Sequence, residues 1–336
     1  MLEQQPHGEL DSAVPPGGLR YSFVVPIYQD EGLAADFCAS FQQAISDYAG
    51  ETDISGVAEL IFVQDGGSES TTEVLREVCD RNRFAKLVTL SRNFGQHIAL
   101  SCGYRHSSGH YVGMLNVDQE DPPDQIPRLL QVIEQGHADI VYSLRTVRSS
   151  PLHITSSSHL FNWLLNKATG FEMPLNTGTL RVMRRSAVDA MNALPERSRF
   201  LPGLEMWLGL RSDFVEIAHR PRSEGRSSYT MGSRLRLGFN AIISFSDTPL
   251  RLVTMAGALI ALLGFALAGF LVLAQLSTDY RPGYTSTMVA IVVLGGVQIC
   301  VIGLASLYIG RILTETQRRP LYVVRERYKI EGVQQP

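Results

Sequence analysis

YSFVVPIYQDE, Tyr21 to Glu31, is an almost unbroken apolar, β-branched run that stops at two acids. A strand with one wet face alternates apolar and polar residues, whereas a strand covered by helices on both faces is apolar throughout. Four further runs keep this second pattern: Glu59 to Val63 (ELIFV), Lys86 to Leu90 (KLVTL), Tyr111 to Val117 (YVGMLNV) and Ala138 to Ser143 (ADIVYS). Helical stretches such as Gly32 to Tyr48 and Ser70 to Arg83 lie between them. The alternation predicts a doubly wound, mainly parallel α/β sheet, in which ligands bind outside the carboxyl ends of the strands.

Polar residues stand where that rule places a ligand. Asp30 and Glu31 follow the first run, Gln64 to Ser68 the second, and Asn116, Asp118, Glu120 and Asp121 the fourth. Taken singly, each carboxylate also reads as a helix cap or a turn residue. Three acidic clusters at three strand ends repel one another unless a cation joins them, and hard oxygen ligands suit Mg²⁺ or Mn²⁺ carrying a diphosphate. The chain has no G-x-x-x-x-G-K-[ST] loop and no G-x-G-x-x-G after the first run, which speaks against a P-loop NTPase or a dinucleotide dehydrogenase.

Two apolar runs without a charged residue, Leu252 to Leu276 and Met288 to Ile309, are each long enough to cross a bilayer core of about 30 Å. Arg234, Arg236 and Arg251 precede the first run, and Arg311, Arg318, Arg319, Arg325, Arg327 and Lys329 follow the second. The connection from Ser277 to Thr287 carries only Asp279 and Arg281. The positive-inside rule therefore predicts a two-span hairpin with both termini and the α/β domain in the cytoplasm. A net charge of −3 argues against a nucleic-acid partner. Cys38, Cys79, Cys102 and Cys300 are scattered and suggest neither a disulfide framework nor a zinc site.

The segments VVPIYQDE (Val24 to Glu31), FVQDGGSES (Phe62 to Ser70), LSRNFGQH (Leu90 to His97) and NVDQEDPPDQIP (Asn116 to Pro127) occur in this order. ERSRFLPGL (Glu196 to Leu204), SFSDTPLRL (Ser244 to Leu252) and YIGRILTETQRRPLYVV (Tyr308 to Val324) continue it. The series resembles glycosyltransferase family 2, and within it the polyprenyl-phosphate glycosyltransferases of the dolichyl-phosphate mannose synthase and bacterial undecaprenyl-phosphate type. The resemblance implies a GT-A fold and an inverting transfer from a nucleotide diphosphate sugar, a UDP-sugar in most bacterial relatives, to the phosphate of a membrane polyprenol such as undecaprenyl phosphate. It also implies a bacterial inner-membrane location and a homo-oligomer, a tetramer in many relatives that carry the hairpin.

Carried over by position, the resemblance implies that Pro26, Tyr28, Glu31, Asp65 and Asn116 line the nucleotide pocket and that Asp118 binds the metal. Asp121 belongs to the following D-P-P turn and, with Arg92, Thr179 and Arg181, is an expected catalytic residue. Arg92, Arg222, Arg226, Ser227 and Tyr229 are expected at the acceptor phosphate, since arginine suits bidentate phosphate contacts. His97 reads rather as a polar residue on a helix face. The chain departs from the family pattern at Gln64 and Asn116, where the first Asp of D-D-G-S and of D-x-D is usual, at Glu120 before D-P-P, and at Asn176 and Thr179 in a D-A-G-D-F-R-like stretch. These neutral positions predict weaker metal affinity unless Glu120 compensates, and Thr179 replaces the Asp often proposed as base.

The expected division is a flexible tail (1–20), a catalytic domain (21–230), an amphipathic juxtamembrane helix (231–250), two spans (251–310) and a cytoplasmic arm (311–336). Against the transferase stands a catalytically impaired homologue that binds nucleotide or a partner as a scaffold. A processive polysaccharide synthase needs more spans and a Q-x-x-R-W element, and a transporter needs more spans to enclose a path.

Overall fold

The computed structural model describes residues 18–145, 177–197, 199–217 and 283–330, with scattered positions between 253 and 273. The first apolar run forms β1 (Tyr21–Ile27) and the second β2 (Ala58–Gln64). They are followed by β3 (Ala85–Leu90), β4 (Tyr111–Met114) and β5 (Ile140–Arg145). Three strands lie outside the sequence expectation: β6 (Thr177–Arg184), β7 (Ser212–Ile217) and β8 (Val324–Tyr328). The spatial order is β7-β5-β6-β4-β1-β2-β3-β8.

The four central strands β4, β1, β2 and β3 are mutually parallel, as their all-apolar sequences require. The sheet is mainly parallel, as expected, since β5 and β7 are parallel as well; the antiparallel additions are β6, which runs against both β4 and β5, and β8, which runs against β3. β7 and β8 close the two edges, and their largely uncovered faces explain why neither contains a continuous apolar run.

Helices α1 (Ala34–Ala49), α2 (Glu69–Arg81), α3 (Gln96–His106) and α4 (Ile126–Glu134) connect the early strands. α2 starts where the Ser68 hydroxyl accepts the Thr71 amide, an N-cap that ends the loop after β2. Pro122 and Pro123 lead into α4, whose buried Ile126, Leu129, Leu130 and Ile133 fall at helical spacing against the sheet. The core they join includes Phe23, Phe37, Phe41 and Phe62, all fully buried. Near the amino-terminal end of β2, Glu59 is buried but accepts from Ser22, Ser108 and Lys86. Burial alone would raise its pKa, yet these donors hold it below the ordinary carboxylate range.

The chain divides into two compact units, one holding the sheet and one holding the long apolar helix. That helix spans Tyr284–Thr316. Its Leu294–Thr316 portion has a mean hydropathy of 1.7 and is not buried within the protein. A shorter apolar helix occupies Val253–Gly264, within the first predicted span. The long helix continues to Thr316, and β8 belongs to the unit with the sheet. The tail through residue 17 and the expected juxtamembrane helix lie outside the described residues.

Candidate active site

Because β1 to β4 are parallel, their carboxyl ends share one edge of the sheet, and Tyr28, Glu31, Asp65, Arg92, Asn116 and Asp118 are all delivered there. β6 runs the other way, so its first residues, including Thr179, enter at that same edge. Pro26 is partly covered and Tyr28 is 46% exposed, which leaves an aromatic face open beside the strand ends. Glu31 accepts the Thr71 hydroxyl at 3.0 Å.

Asp65 is 4% exposed and spans the start of the next loop. Its two oxygens accept the backbone amides of Phe94 at 2.7 Å and Gly95 at 2.8 Å. Gly66 has φ 76°, and a Cβ there would sit 2.6 Å from the Asn93 nitrogen and 2.7 Å from the Arg92 carbonyl carbon. Only glycine permits both that backbone and that approach. The loop thus held displays Arg92 in solvent, its guanidinium 4.4 Å from the centre of the Phe94 ring. Gln64 is turned inward and fully buried, and its Oε1 accepts from Thr72 and Thr89 at 2.9 and 3.1 Å. It is a packing partner of α2 and β3 and does not stand with Asp65 as an open polar group.

In the loop after β4, Asn116 accepts Gln96 Nε2 at 3.1 Å, and half-buried Asp118 accepts the Glu120 amide at 3.3 Å. Gln119 between them adopts φ 55°. Glu120 pairs with Arg145 at 3.3 Å. Asp121 is 2% exposed and is the anchor of this region. It takes the Arg145 guanidinium in two bonds, at 3.0 and 3.1 Å, and from β6 the Thr179 amide (2.6 Å), the Thr179 hydroxyl (2.7 Å) and the Leu180 amide (3.2 Å). Burial alone would raise the Asp121 pKa, but the bond from Arg145 and its positive charge, with Thr179 and Leu180, hold it below the usual range.

Arg181 does not face the strand-end edge as an open cation. It is 7% exposed and bonds Glu205 at 2.8 and 2.6 Å, while Tyr142 donates to the same carboxylate at 3.0 Å. His97 packs edge-on against Phe200, ring centres 5.5 Å apart. Burial, then the Arg181 charge, push its pKa down to about 4, so the imidazole is neutral at pH 7. Arg145 and Glu205 are the residues the sequence reading missed: the first is the last residue of an apolar strand, and the second is a lone acid in the apolar stretch LPGLEMW. Asn176, Arg222, Arg226, Ser227 and Tyr229 lie outside the described residues.

Among the described residues no three His, Cys, Asp or Glu side chains form a ready cation cage. Mg²⁺ is commonly held through one or two carboxylates completed by substrate phosphates and water. Asp118, with the Asn116 amide oxygen and its second lone pair, has the donor chemistry for that arrangement. Asp121 is committed elsewhere, to Arg145 and β6.

The family model for glycosyl transferase family 2 matches residues 22–191, and that for the GtrB C-terminal hairpin matches residues 248–312. The chain is 35% identical to an uncharacterised glycosyltransferase of Synechocystis, across 93% of this chain and 97% of that protein. It is 32% identical to the undecaprenyl-phosphate 4-deoxy-4-formamido-L-arabinose transferase of Serratia proteamaculans, across 91% of this chain and 93% of that one. Among solved structures, the glucosyl-3-phosphoglycerate synthase of Mycobacterium tuberculosis, determined with Mn²⁺, UDP and glucosyl-3-phosphoglycerate, superposes with a TM-score of 0.50. That match has 17% identity and covers 74% of this chain and 87% of the other, a likeness of fold.

Proposed function

Since the chain belongs to glycosyl transferase family 2, we propose that it moves a sugar from a nucleotide diphosphate sugar to the phosphate of a membrane polyprenol, with inversion at the anomeric carbon. The observation that carries the reading is the delivery of Asp65, Arg92, Asn116 and Asp118 to one edge of a GT-A sheet, in a chain that also matches a membrane hairpin. A soluble donor and a lipid acceptor call for that pairing of parts.

The chemistry asks little of the protein beyond placement and charge. The acceptor phosphate is already an anion at neutral pH, so transfer needs no strong base, and a threonine at position 179 is compatible with turnover. Asp118, assisted by Asn116, would hold Mg²⁺ or Mn²⁺, which offsets the charge that builds on the leaving diphosphate. Arg92 supplies a fixed positive charge for a phosphate. Pro26, Tyr28 and Glu31 border the base and ribose. Asp121, Thr179 and Arg181 act as positioning residues: the Asp121 bonds tie the loop bearing Asp118 to β5 and β6, and Arg181 is a buried counter-ion. Arg222, Arg226, Ser227 and Tyr229 complete the acceptor-phosphate group in this reading.

The reading includes a cell-membrane location with two spans, both termini in the cytoplasm, and assembly as a homotetramer. The deciding assay uses purified protein with Mg²⁺ or Mn²⁺, undecaprenyl phosphate and a panel of UDP- and GDP-sugars. Release of nucleoside diphosphate with at least one donor, UDP-sugars first, is the expected result. Intact donor binding without turnover across the panel would favour a nucleotide-binding scaffold.

A further inference from the structure

β8, which follows the long apolar helix in sequence, begins beside the loop that carries Arg92. It pairs with β3 so that Val324 lies opposite Leu90, with the ladder irregular between Thr89 and Leu90. Immediately past that point the Ser91 amide donates to the Val323 carbonyl at 2.9 Å. The far end of the same loop is held by Asp65 through Phe94 and Gly95, and its middle rests against Gly66. Ser91 to Gly95 is therefore fixed at three places, and one of them belongs to the opposite end of the chain.

Val324 is buried, Tyr328 packs on the core and Tyr322 is buried just ahead of the strand, while the outward positions of this edge strand are polar. Charge and hydrogen bonds to α2 hold those positions. Glu326 pairs with Arg76, Arg325 with Glu69 at 2.8 Å, and the Tyr328 hydroxyl donates to Asp80 at 2.8 Å. Arg327 Nε donates to His106 Nε2 on α3 at 3.2 Å. A strand held in this way can be undocked by reversing one charge without emptying the core.

We propose that residues 322–328 are a positioning element of the transfer site: docking of β8 on β3 sets the loop that aims Arg92 at a phosphate. The inference rests on the reading of Arg92 as a phosphate-holding group, and it assigns the reaction a dependence on a segment that touches no substrate. Aim matters because misplacement by about 1 Å costs roughly 100-fold in rate.

The test uses the full chain with Glu326→Arg, Arg76→Glu and the double reversal, followed by hydrogen exchange of the peptide covering 91–95 and by donor and acceptor kinetics. Each single reversal is expected to speed exchange in 91–95 and to lower kcat for transfer to polyprenyl phosphate about fivefold, the scale of one exposed ion pair. The donor KM stays unchanged and the double reversal restores both readouts. Val324→Asp, which puts a charge on the buried face of the edge strand, is the second variant and should act in the same direction. Wild-type protection of 91–95 in Val324→Asp, or a donor KM that rises in step with the fall in kcat, overturns the proposal. Should the parent protein show no turnover, the exchange readout still decides this inference, and the missing turnover counts against the functional reading alone.

Discussion

At the scale of single residues, carboxylates three positions apart in one loop have opposite environments. Asp118 is half-buried beside the strand ends, whereas Asp121 is buried and answered by an arginine and two backbone amides. Asp118→Asn is expected to lower metal-dependent turnover by about 100-fold while leaving the fold intact, measured by donor hydrolysis alongside circular dichroism. Asp121→Asn should instead destabilise the domain by about 3 kcal/mol, since it leaves Arg145 partly buried without its countercharge. Denaturant titration measures that cost. The Asp121 pKa is depressed in the fold, so its contribution is complete above the unfolded value of about 4 and is lost as pH falls through the lower folded value. The penalty of Asp121→Asn should therefore shrink in strong acid. His97 has the same sign over a different window. Its folded pKa is about 4, below the usual value, so the unfolded chain binds the proton first and stability falls as pH drops from about 6.5 towards 4. His97→Gln should flatten the thermal stability profile across that window. Motif order located Asp118 and Asp121 together, but only burial separated their roles.

At the scale of elements, the loops after β2 and β3 work as one piece, because Asp65 bonds the second loop and Gly66 gives it room. Gly66→Ala adds a methyl within 2.6 Å of a backbone nitrogen and puts a side chain at φ 76°. The left-handed backbone alone costs about 1–2 kcal/mol, and the loop bearing Arg92 must also shift. The expected outcome is a fall in kcat greater than the rise in donor KM, read from steady-state kinetics. The apolar runs β1 to β4 were legible because strands buried on both faces leave a continuous signature. β7 (SDFVEI) and β8 (VRERY) lie at edges and alternate or carry charge, so nothing local distinguishes them from loop. β4 stops at Met114, short of the expected Val117, because Asn116 to Asp118 leave the sheet to form the loop of the site.

At the scale of the whole molecule, the segment Leu294–Thr316 is apolar and uncovered by protein: Ile299, Ile302, Ile309 and Ile312 are each more than 60% exposed. By length and composition this helix is able to cross a bilayer. Ile302→Arg should cost about 3 kcal/mol of insertion, seen as a larger fraction extracted from membranes by alkaline carbonate. The amino-acid order by itself determined the central parallel sheet, the edge at which the candidate site residues gather and the apolar character of the C-terminal helix. Each follows from a local periodicity or an uninterrupted run, and the physics of a covered strand or a bilayer reads such a pattern directly. Only the tertiary structure decided that Asp121 is an anchor, that Arg181 is spent on Glu205, that Gln64 faces inward and that the chain's last strand closes the sheet beside Arg92. Those outcomes depend on which residues far apart in the chain become neighbours, and the desolvation that then pairs a charge has no trace in the sequence around either partner.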